Sequence, residues 1–182
     1  MIRVNADDVS NIVDKYSRLD IENASPMDGL CVALLDVYRC SLSQSEAREK
    51  ITFECHNLAH EDKFFDFFSD IFINDAESCF IFIQKSNSES SRKMMKAKGF
   101  DDAEIKYLLE IKKFENELYA VTDITELKFW VKMTSREMLL CNFFFSRIAI
   151  VGNYDLTLPL FVDELFFDQY RNTAMRNELY FR

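Results

Sequence analysis

The sequence predicts an α+β fold, helix-rich in its N-terminal part and packed with a small antiparallel sheet formed late in the chain. Three observations predict it. Gly and Pro number only 3 and 2 in 182 residues, which disfavours sandwiches and barrels that depend on tight turns. Apolar residues recur at helical spacing through the first half. From about Leu118 the texture changes to short β-branched and aromatic runs. The length suits one domain, 1–182, that admits two sub-lobes: 1–84, helical and acidic, and 92–182, mixed α/β, joined by the polar segment 85–91.

The elements follow in order. Val9, Ile12, Val13 and Tyr16 stand at helical spacing behind Asp7 or Asp8 as N-cap. A polar stretch with Pro26 separates this helix from residues 29–41, apolar on most sides, which read as a central helix. Ser43 and Glu46 make a capping box. On the helix behind it, Ala47, Ile51, Cys55 and Leu58 share one face. Further on, Phe64, Phe65, Phe67, Phe68, Ile71 and Phe72 cover an arc of roughly 160°, with Asp66 and Asp70 opposite.

Residues 76–84 suit a buried strand or extend a helix equally well. The Ser-rich run 85–91 reads as a flexible loop. Arg92, Lys93, Lys96 and Lys98 form a short basic helix closing at Gly99. Asp101 or Asp102 caps the next, with Ile105, Leu108, Leu109 and Ile111 facing inward. Residues 118–124 and 127–133 look like strands. Thr134 and Glu137 suggest a second capping box before 138–145, a helix or a strand. Residues 147–151 and 156–162 make a hairpin turning at 152–155, with Pro159 placing the second strand at a sheet edge. Residues 163–177 close the chain as a helix.

Net charge is −9, and its distribution is uneven. Residues 1–80 hold 16 Asp/Glu against 7 Lys/Arg, whereas residues 81–182 hold 15 of each. Such a field disfavours nucleic acid and anionic membranes and attracts basic proteins. The N-terminus has no apolar signal region and no apolar run is long enough to span a bilayer, which points to the cytoplasm. Five cysteines (Cys31, Cys40, Cys55, Cys79, Cys141) without a C-x-x-C pair read as thiols in a reducing compartment.

Signatures of chemistry are missing. His56 and His60 stand four apart as zinc ligands can, but they lack the H-E-x-x-H glutamate and a third histidine, and the helical wheel puts them on a solvated polar face away from Cys55. Three isolated glycines (Gly29, Gly99, Gly152) cannot build a phosphate-cradling loop. No catalytic residue, cofactor or metal is therefore expected. The basic stretch Arg92–Lys98 lacks interleaved aromatics and reads as a solvated or ion-paired helix face. Eighteen phenylalanines exceed what a small core usually needs. Phe143, Phe144 and Phe145 cannot all point to one side of a strand, which leaves aromatic surface for a partner or a second subunit.

These features together predict a non-enzymatic, acidic binding protein. Bacterial immunity or antitoxin proteins and phage-type inhibitors share this physical character, occluding a basic partner such as a toxin or nucleic-acid-handling enzyme. The expected partner surface is Glu46, Glu49, Glu54, Glu61, Asp62, Asp66, Asp70 and Asp75, where charge speeds encounter and aromatics hold the complex. The alternative is a homodimeric regulatory or scaffold protein joined through its late aromatic elements.

Overall fold

The computed structural model describes residues 2–4, 16, 28–74, 79–86, 92–111 and 118–182. The helix expected over 7–18 lies outside the described residues except for Tyr16, which is helical; of the loop expected over 85–91, Lys85 and Ser86 belong to a strand and 87–91 lie outside the described residues.

The fold is α+β, organised on one antiparallel sheet. Its strands are β1 (Ile2–Arg3), β2 (Leu30–Asp36), β3 (Cys79–Ser86), β4 (Leu118–Val121), β5 (Leu139–Phe144), β6 (Ile148–Ile150), β7 (Leu158–Asp163) and β8 (Tyr180–Phe181). They lie in the order β1-β4-β3-β5-β6-β7-β2-β8. Strands from both sides of 85–91 thus interleave, with β3 between β4 and β5 and β2 between β7 and β8. The helices are α1 (Gln44–Lys50), α2 (Ala59–Asn74), α3 (Arg92–Ala97), α4 (Asp102–Ile111), α5 (Ile124–Ser135) and α6 (Phe167–Arg176), and a π-helical turn, Phe53–Leu58, leads into α2.

Central strands are apolar on both sides because both sheet faces are covered. On one face Ile81, Phe143, Ile150, Leu160 and Leu35 join Phe64, Phe67, Phe68 and Ile71 of α2 and Trp130 of α5 in the main core. Phe68 meets Phe143 edge to face at 4.6 Å, an arrangement worth about 0.5–1.5 kcal/mol beyond area burial. On the other face Ala149, Val151 and Phe161 form a second cluster with Tyr16, whose ring lies 5.5 Å from Phe144 and whose hydroxyl donates to the Phe145 carbonyl at 3.2 Å. The consecutive phenylalanines 143–145 are therefore consumed by two cores. Among the described residues no phenylalanine is an exposed large hydrophobic.

Several elements correct the sequence reading. Residues 30–36, expected as a helix, are a strand, because an apolar run without periodicity fits a strand buried between neighbours. Residues 127–133, expected as a strand, lie inside α5. Asp123 caps that helix through the Thr125 and Glu126 amides, and Leu127, Trp130, Val131 and Thr134 bury one helical stripe. Thr134 and Glu137 consequently end a helix rather than begin one. Glu137 occupies the left-handed position (φ 56°), with Met138 N–H donating to Met133 and Glu137 N–H to Thr134, a Schellman motif. Glu178 (φ 55°) closes α6 in the same way, and Gly99 (φ 77°) closes α3. Leu109 is exposed instead of facing inward.

Strand β7 is internal, not an edge. Pro159 is tolerated because it faces Leu34 on one side, and Leu34 directs its N–H and C=O away to Arg182 of the β8 end. On the other side Pro159 accepts from Val151 just beyond the last β6 residue, so its missing donor falls at a ladder end. The expected capping box at Ser43 is present, as is one at Asp101 and Glu104.

Candidate functional site: the outer face of α2

Helix α2 buries Phe64, Phe67, Phe68 and Ile71 and so turns its charged side outward. Eight carboxylates were expected to form a partner surface, and the structure divides them. Glu61 is stapled into the body of the protein. Its carboxylate accepts from Arg136 Nε (2.7 Å) and Nη2 (2.8 Å) and from Ser135 Oγ (2.7 Å), and the paired side chains are only 13% and 16% exposed. Arg136 also donates to the carbonyls of Lys98 (2.6 Å) and Gly99 (3.1 Å) and lies over the Phe100 ring. One guanidinium thereby ties α2, the end of α5 and the α3–α4 turn together. Glu61 cannot also face a partner.

Asp70 is turned to α6, accepting from Asn177 Nδ2 at 3.0 Å with Arg176 at 3.7 Å. Glu46 completes the α1 capping box and pairs with Lys50 at 3.7 Å, and the Ser43 hydrogen bonds hold its carboxyl below the usual range. Asp75 lies outside the described residues. Glu49, Glu54, Asp62 and Asp66 are exposed, and none of the ion pairs among the described residues engages them. Leu58, Asp62, Asp66 and Ile73 follow at helical intervals, so a carboxylate-centred ridge is flanked by two exposed aliphatic side chains, Leu58 at 40% and Ile73 at 66%. The flanking aliphatics have no sequence signal as surface residues. On a continuous helix Leu58 shares one face with Ala47, Ile51 and Cys55.

The helix is not continuous, for a local reason. Helix α1 stops at Ile51, and Thr52 caps a new start by accepting from the Cys55 amide at 3.2 Å. The wide π-helical turn then shifts the phase of every side chain after it. Cys55 and Leu58 rotate outward, whereas His56 becomes buried at 1% exposure and Asn57 donates to the Ser135 carbonyl at 2.7 Å. His56 and His60 are thus not on a solvated face. They pack edge to face, ring centroids 5.7 Å apart.

The basic stretch after residue 91 is an exposed helix face that forms ion pairs within the chain. Arg92 and Lys96 both meet Asp102, at 2.7 and 3.2 Å, holding that carboxyl below its ordinary range, and Lys98 donates to the Arg136 carbonyl. Nucleophile chemistry has little support in the thiols. Burial pushes Cys141 up to about 12 and Cys79 well above its ordinary value, and Cys55 faces solvent while His56 faces the interior. No group of three His, Cys, Asp or Glu among the described residues is placed to hold a metal ion. No helix of the described residues is long and apolar enough to cross a membrane.

The fold and site define a class in coarse terms: an antiparallel α+β domain with an acidic, aliphatic-flanked helix face. Comparison with protein families, characterised proteins and solved structures finds no match.

Proposed function

We propose that this chain is a non-catalytic binding protein that occludes a basic protein partner through the outer face of α2, in the manner of an immunity protein or a phage-type inhibitor. The observation that carries this reading is the ridge itself. Asp62 and Asp66 have no cation within ion-pair distance among the described residues, although Glu61 and Lys63 beside them are both engaged. Unpaired like charges on one helix face repel one another and cost stability in the free protein. A cationic partner surface removes that cost. Leu58 and Ile73 supply apolar contacts at either end, and the carboxylates between them steer encounter. Glu54 and Glu49 extend the same negative field toward α1.

The test is differential capture from host extract. Wild-type protein, Asp62→Lys/Asp66→Lys and a distant control, Asp168→Lys, serve as baits. A basic protein retained by wild type and control and lost by the double variant supports the reading. Identical retention by all three baits refutes it.

A further inference from the structure

A separate cluster lies where the π-helical turn meets the loop before β7. His56 Nε2 sits 2.7 Å from the Asp155 carbonyl. A carbonyl only accepts, so Nε2 carries a hydrogen. Nδ1 of the same ring is buried and has no hydrogen-bond partner among the described residues, and the same holds for Nδ1 of His60. Tyr38 stacks flat on His56 (5.7 Å, 6°) and meets His60 edge-on (6.5 Å, 84°). Backbone strain gathers at the same place, with Asp155 at φ 60°, Leu156 at φ 50°, and Glu137 (φ 56°) accepting from the Asp155 amide. Strained backbone bound to a ring whose other nitrogen is orphaned is held only by its surroundings.

We propose that the His56–His60 pair is a proton-sensitive latch that fastens the π-helical turn to the 153–157 loop. The charged groups facing it come from every side. Asp36 at the end of β2 is buried and bound to Arg182 at 2.6 Å; Lys50 of α1 lies over Tyr38; Lys63 of α2 is held by Glu178 at 2.6 Å. Burial first, then Lys63 and His56, hold His60 below its ordinary value of 6.5, while Asp36 and Glu178 pull weakly the other way. The fold therefore favours neutral His60. Its stabilising contribution is complete above pH 6.5 and is lost as pH falls through the lower folded-state value. A proton on His60 brings charge against the His56 ring and Tyr38. The cheapest relief is to swing the turn and its Asp155 contact into water.

The chain has two histidines, so NMR shows two imidazole Cε1–H signals to follow from pH 8 to pH 5. Backbone amide exchange, corrected for intrinsic rate, is read over the same range. The latch predicts that His60 titrates below 6.5 and that amides of 53–58 lose protection through the same midpoint while 64–71 keep theirs. His60→Gln removes the pH dependence of that loss. A His60 midpoint at or above 6.5 overturns the proposal. So does pH-independent protection at 53–58, or a variant that keeps the wild-type profile. If the variant does not fold, the two wild-type measurements decide alone.

Discussion

Glu61→Gln separates the structural carboxylates from the presented ones. The substitution keeps the shape of the side chain and removes the charge opposite Arg136, whose guanidinium remains mostly buried between Phe100 and two backbone carbonyls. Breaking a buried ion pair from one side costs about 3–5 kcal/mol. The residual exposure of both partners, 13% and 16%, lowers the expectation to about 2–3 kcal/mol by solvent screening. With a urea slope of about 2 kcal/mol per M, the unfolding midpoint falls by roughly 1 M at an unchanged slope. Asp62→Asn, one residue along and exposed, shifts stability by less than about 0.5 kcal/mol. Equal midpoints for the two variants would refute the division of the acidic face.

Other expectations follow from single contacts. Gly152→Ala places a Cβ 2.4 Å from the Cys141 carbonyl oxygen and 2.7 Å from its nitrogen; strand β5 must shift, and thermal unfolding reports a loss of about 1–3 kcal/mol. Glu178→Gly relieves a left-handed backbone (φ 55°) at the loss of one exposed ion pair, so chemical denaturation shows a net gain of up to about 1 kcal/mol. In a thiol-reagent assay Cys40 and Cys55 react in the native protein, whereas Cys79 and Cys141 react only after unfolding.

Legibility followed how local each signal was. The box at Ser43, the Phe face of α2, the αL glycine at 99 and the 147–162 hairpin are written within a few residues and appear in the structure. Residues 30–36 were misread because their pairing as a strand is set by β7 and β8, far along the chain. Asp123 caps α5 in the structure, a local signal that the strand reading of 118–124 and 127–133 leaves unused. At the candidate site, the helical wheel places Asp66 and Asp70 opposite the phenylalanine arc, and Asp62 is legible only as one of the eight carboxylates of 46–75. The capture of Glu61 by Arg136, 75 residues away, was not, since no local pattern pairs them. The π-helical turn hid His56 for a different reason: its phase depends on Ile51 ending one helix and Thr52 starting another.

The most direct measurement is the association rate of the captured basic partner with wild-type protein and with Asp62→Lys/Asp66→Lys, each at low and high ionic strength. A negatively charged docking face predicts fast wild-type association that slows steeply with salt, and a slow double variant with little salt dependence. Rates that match between the two proteins at both ionic strengths would place the contact elsewhere and contradict the assignment of α2.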